Sequence, residues 1–193
     1  MAEFLTKKID RINDLYMQSQ TETLSLVYND KTILLPQHLV IDNTGNPLSL
    51  DNFIFNHSDK VFELPGELIE MTEAGFQKRI QNFPYYNEAN LRLSRIGCIG
   101  ETYIFHTQPV FYETYLRTNM MMDYKDCGKQ SLREMYHANG KLEPLEQSVF
   151  DNHLGINVLL FTNQGELILM ERSARVSYAP KKNSAEHFRC CFS

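Results

Sequence analysis

The sequence predicts an α+β fold in which a mostly antiparallel sheet packs against two or three helices. Three observations point to it: short β-prone runs separated by turn residues, stretches with apolar residues at helical spacing, and a composition of 42% hydrophobic, 11% aromatic and 22% charged residues. With 193 residues of that composition the chain has enough apolar material to bury a core against the entropy of ordering its backbone.

The elements follow in order. Phe4 to Met17 sets Phe4, Leu5, Ile9, Ile12, Leu15 and Tyr16 on one stripe and leaves Lys7, Lys8, Arg11 and Asp14 off it, which is an amphipathic helix. Leu24–Tyr28 and Thr32–Leu35 flank Asn29-Asp30, residues that tolerate the positive φ of a tight hairpin turn. Turn chemistry recurs over Asp42–Pro47, and Phe53, Phe55, Val61, Phe62 and Leu64 read as core-facing strand residues. Pro65-Gly66 precedes a helix over Leu68–Ile80, closed by Phe83-Pro84. Leu91–Ile96 and Thr102–Phe105 straddle Gly97 and Gly100 as a hairpin, and Pro109, with Thr107 as its cap, starts a helix running toward Met121. After a polar stretch from Asp123 to Lys141, Leu154–Phe161 reads as a buried strand, Thr162–Gly165 as a turn, and Glu166–Arg172 as the returning strand.

Charge and composition exclude several classes. A formal net charge of −5 removes the attraction to phosphate backbones that duplex binding needs, so nucleic acid is not an expected partner. The longest apolar run, Val158 to Phe161 with Ile156 just before it, is far shorter than the ~20 residues that span a bilayer, and no charged-then-apolar leader opens the chain, so neither membrane insertion nor secretion is expected. Cys98, Cys127, Cys190 and Cys191 are too unevenly placed for a disulfide framework, which fits a reducing, cytoplasmic setting, and they lack the partners a metal site requires.

The remaining constellations have ordinary explanations. His106, His137 and His153 stand near candidate loops with no nucleophile elbow beside them, so backbone-satisfied histidines are expected. Cys98, among apolar neighbours, reads as a small buried hydrophobe, and Met120-Met121-Met122 as core filling. Glu67, Glu70 and Glu73 form a solvated helix face.

The run from Leu154 to Pro180, an apolar strand, an Asn-Gln-Gly turn, a second apolar strand ending in Arg172 and a loop with Pro180, resembles the opening hairpin of Nudix hydrolases. That family cleaves nucleoside diphosphates linked to another moiety. The stretch from Asn90 to Asn119 is similar to the lead-in before the Nudix domain of longer members. The resemblance divides the chain into an accessory α+β region, residues 1–150, and the start of a Nudix-like domain, residues 151–193, with an incomplete Nudix-like sheet. It implies a nucleotide or diphosphate ligand, with Arg172 and Arg175 as the substrate-binding residues; a solvated strand end is the competing reading of both.

The Nudix signature itself, a helix presenting clustered glutamates to Mg²⁺, does not fit into the residues after Pro180. Arg133-Glu134-Met135 followed by Gly140 imitates half of it, but the metal-binding glutamates would fall on His137 and Ala138. The expectation is therefore a Nudix-like protein without catalytic residues, metal or cofactor in this form, Mg²⁺ belonging only to a complete domain. Its ending, Ala185 to Ser193, reads as a truncated or frameshifted tail. The alternative is a non-enzymatic module in which the first 150 residues bind a protein or small ligand. An unfinished sheet would also leave an exposed edge through which two copies could pair.

Overall fold

The structure, a computed structural model, describes residues 2–19, 23–28, 31–36, 48–82, 85–125, 130–155, 162–166, 170–171 and 183–184. It is an α+β protein. Helices α1 (Ala2–Gln18), α2 (Gly66–Asn82), α3 (Tyr112–Arg117) and α4 (Leu132–Tyr136) alternate with strands β1 (Thr23–Tyr28), β2 (Lys31–Pro36), β3 (Phe53–His57), β4 (Ala89–Ile99), β5 (Thr102–Phe111), β6 (Met170–Glu171) and β7 (Asn183–Ser184). β1 and β2 pair antiparallel with Tyr28 opposite Lys31; Asn29-Asp30, the expected turn, lies outside the described residues. β3, β5 and β4 form a second sheet in that order, β4 antiparallel and β3 parallel to the central β5. β6 and β7 pair antiparallel.

α1 places Tyr16 fully inside, while Lys7, Arg11 and Asp14 face water, as its stripe requires. α2 is the spine of the core because its inward residues recur four apart. Leu68 packs with Leu132 and Phe150, and Phe76 packs with Leu116 and Met121. Met120 and Met122 flank these same clusters, so the methionine run fills core space. Thr72, between Leu68 and Phe76, is buried and satisfies its hydroxyl by donating to the Leu68 carbonyl at 2.7 Å. Gly75 allows residues 121–124 to lie close to this helix, since a Cβ there would stand 2.3 Å from Met121 Cε and 2.9 Å from the Tyr124 ring.

Four expectations are corrected. Pro109 does not start a helix: β5 continues to Phe111 and α3 begins at Tyr112. The Pro109 carbonyl accepts from Phe62 N at 2.8 Å on the side where β3 has ended with the His57–Thr107 pair. The missing N–H of Pro109 therefore removes no ladder bond. Thr107 is no helix cap but a buried strand residue, its Oγ1 3.3 Å from His57 Nδ1. Only Phe53–His57 of the proposed 53–64 strand region is a strand, and Phe55 is 57% exposed although it stacks on Phe105. Cys98 is exposed rather than buried, because it sits near the solvated end of β4 with its thiol 3.2 Å from the Gly100 carbonyl.

The polar stretch after Asp123 contains α4, whose start is fixed by a capping box: Ser131 Oγ accepts from Glu134 N, and the Glu134 carboxylate accepts from Ser131 N. The β4–β5 hairpin turns at Gly100, with φ +61, while Gly97 stays inside β4. Glu67 and Glu70 lie on a solvated face, whereas Glu73 pairs with the buried Arg117 at 2.8 Å. Thr162–Gly165 forms the expected turn, closed by Gly165 N donating to the Thr162 carbonyl at 3.0 Å with Gly165 at φ +82. The strand residues 156–161, the turn over Asp42–Pro47, Phe83-Pro84, Cys127, Arg172, Ser173, Arg175, Cys190 and Cys191 lie outside the described residues.

Candidate ligand groove between two helices

A cavity of about 590 Å³ opens between α1, α2 and the segment 119–124. Among the described residues, Lys8 of α1, Lys78 and Arg79 of α2 and Arg133 of α4 bring four cationic side chains to its wall, against the one carboxylate of Asp123. Met120, Met121 and Tyr124 supply apolar and aromatic surface beside them. A concave site that is apolar with a few convergent charged groups has the make-up of a small-molecule site.

Asp123 organises the cationic side. Arg133 donates through Nε to Asp123 Oδ1 at 2.7 Å and through Nη2 to Oδ2 at 3.2 Å, the two-pronged geometry a guanidinium offers a carboxylate. Lys8 Nζ reaches the same carboxylate at 3.1 Å. Burial alone would raise the Asp123 pKa, but the hydrogen bonds and charges of Arg133 and Lys8 outweigh it and hold the carboxyl below its ordinary value. Arg133 responds in the opposite sense: burial opposes its charge, and Asp123 and Tyr16 together more than compensate.

Behind the groove Arg133 Nη1 donates to the Tyr16 hydroxyl at 2.5 Å, and that hydroxyl lies 2.9 Å from His137 Nδ1. Arginine has no acceptor, so the phenol proton is directed to Nδ1 and the imidazole is neutral. Burial first, and the Arg133 charge second, push the His137 pKa down to about 4. Burial likewise raises the Tyr16 pKa.

Arg79 differs from its neighbours in the groove. Its Nε is buried and has no hydrogen-bond partner among the described residues. A buried guanidinium N–H without an acceptor is costly.

The other sequence-derived candidates scatter. His137 stands behind the groove, satisfied by Tyr16 rather than by backbone. His106 lies on β5, where its carbonyl accepts from Ser94 Oγ at 3.0 Å. His153 Nδ1 meets Asp151 Oδ2 at 2.5 Å, with Asp151 fully buried and the imidazole edge-on to Tyr115 at 5.3 Å between centroids. This pair anchors the 152–154 segment to the edge of β4, where Leu93 N donates to Asn152 O at 3.0 Å and Leu154 N to Leu91 O at 2.7 Å. Arg133 and Glu134, which imitate half of a metal signature in sequence, are used to hold Asp123 and to cap α4.

Among the described residues no group of three or more His, Cys, Asp or Glu is placed to hold a metal ion, and no helix is long and apolar enough to cross a membrane. The chain matches no protein-family model, no curated protein and no solved structure.

Proposed function

We propose that this chain is a Nudix-hydrolase-like protein in which the described residues bind, rather than hydrolyse, a small ligand of the nucleoside diphosphate class. The ligand class comes from the resemblance of residues 154–180. One observation carries the binding role: among the described residues, four cationic side chains and the carboxylate of Asp123 line a groove of about 590 Å³ that also offers Met120, Met121 and Tyr124. An anionic diphosphate would meet the cationic wall of which Arg79 is part, and a base would lie against the thioether and phenol surface.

The test is calorimetric titration of the full chain with ADP at several ionic strengths. Saturable binding that weakens with salt is expected, because exposed charge attraction is screened over ~8 Å at physiological ionic strength. Arg79→Ala should weaken it about tenfold, the value of a hydrogen bond to a charged group. Absence of binding, or an unchanged affinity in Arg79→Ala, overturns the binding role. A parallel assay with Mg²⁺ and a panel of nucleoside diphosphate derivatives should show no turnover; turnover would replace the binding role with catalysis.

A further inference from the structure

A second cavity, of about 310 Å³, lies on the three-stranded sheet and is lined by Phe62, Arg92, Ser94, Arg95, His106 and Gln108, with Glu146 at its rim. Residues three apart on a regular strand point to opposite faces, so Arg92 and Arg95 should not share a cavity. A β-bulge changes that parity. Arg92 pairs with Gln108, Leu93 with Thr107 and Arg95 with His106, leaving Ser94 as the extra residue. Gln108 and His106 are two apart on β5 and share a face, so both arginines come to that face.

Arg92 is the anchor. It is 2% exposed, stacks over the Phe62 ring at 4.0 Å and donates to the carbonyls of Phe150, Ser148 and Leu145 through Nε and Nη2. Those bonds, made through Nε and Nη2, hold the guanidinium rigid. Burial disfavours its charge and the nearby Asp151 carboxylate partly restores it. Arg95 stands at the open side, its Nε 3.5 Å from Glu146 Oε1, with both side chains more than half exposed. An internal carboxylate thus already lies against the cationic wall.

We propose that this cavity is a phosphate site, taking inorganic phosphate or the phosphate of a small monoester between Arg92, Arg95, His106 and Gln108, with Glu146 as the built-in competitor it displaces. Donors from two strands reach a tetrahedral anion from several directions, whereas a flat carboxylate would satisfy fewer of them. The site is separate from the α1–α2 groove and does not depend on its assignment.

The experiment is an NMR titration of the full chain with inorganic phosphate at constant ionic strength, following the His106 ring. Saturable binding is expected. Arg95→Ala should weaken it about tenfold, and Glu146→Gln should tighten it by removing the competing carboxylate. Because Arg95 and Glu146 are exposed, both variants should melt like the parent, which separates lost binding from lost folding. Arg79→Ala, in the other groove, should leave phosphate affinity unchanged. No saturable response, or a Glu146→Gln affinity no higher than that of the parent, overturns the proposal. Acetate binding as tight as phosphate overturns the assignment to phosphate, and a glycerol phosphate titration tests the monoester as its source.

Discussion

The hydroxyl of Tyr16 lies 2.9 Å from Nδ1 of His137, joining positions 121 residues apart. Through it α1 is fastened to the region of α4, since Arg133 donates to the same hydroxyl. Tyr16→Phe keeps the ring and removes only the oxygen, leaving a buried imidazole nitrogen and a guanidinium N–H unpaired. The expected loss is ~1–3 kcal/mol, read as a lower urea midpoint with unchanged slope.

The same imidazole gives stability a defined pH dependence. His137 titrates at about 4 in the folded protein against an ordinary 6.5. As the pH falls below 6.5 the unfolded chain takes up a proton that the folded chain refuses until about 4, so stability falls through that window. The slope contributed is at most ~1.4 kcal/mol per pH unit. Urea midpoints measured from pH 7 to pH 4 should decline in the parent and decline less in His137→Phe; parallel curves would remove this account. The carboxylates follow at lower pH: Glu134, held down from 4.5 to about 2 chiefly by Lys125 and then by the Ser131 backbone, gives up its contribution progressively as the pH falls from 4.5 to about 2.

Gly140→Ala should be among the most damaging single-methyl changes. Gly140 has φ +72, and a Cβ there would stand 2.3 Å from the Leu15 carbonyl oxygen. Strain at positive φ and a clash with backbone add, so a loss of ~2–4 kcal/mol is expected, read as a lower melting temperature. Gly75→Ala meets flexible side chains instead, and its smaller cost should come with a reshaped α1–α2 groove.

Leu132→Ala should cost ~2–5 kcal/mol, because Leu132 is 1% exposed and packs with Leu68 and Phe150 at the centre of a core cluster. Denaturant unfolding followed by tyrosine fluorescence measures it.

Cys98 should react with a maleimide under native conditions, since its thiol is exposed. Cys98→Ser should change stability by less than ~0.5 kcal/mol. Protection of the thiol until the chain unfolds, seen by mass spectrometry of the labelled peptide, would contradict this exposure.

Much of the fold was legible because its signals are local. The stripe of α1, the pairing of β1 with β2 and the Gly100 turn each rest on residues within a few positions of one another. Pro109 misled because proline suits a first helical turn, and only the distant end of β3 frees it to sit in a central strand. The capping box Ser131…Glu134 was visible in the sequence and marks α4, the helix the polar composition concealed. The groove was not legible: Lys8, Arg79, Asp123 and Arg133 come from four separate segments, and no spacing groups them. The bulge at Ser94 was equally silent, since residue composition there does not announce an extra position. Arg172 and Arg175, which the resemblance favours, lie outside the described residues.

The parallel pairing of β3 with β5 imposes an order of assembly. β4 and β5 meet across a tight turn and can zip together within microseconds. His57 and Thr107, by contrast, are 50 residues apart, so docking β3 carries a loop-closure cost that the hairpin does not, and β3 is expected to dock after the hairpin. Substitutions in the Gly100 turn should therefore slow folding, and those in β3 should chiefly hasten unfolding.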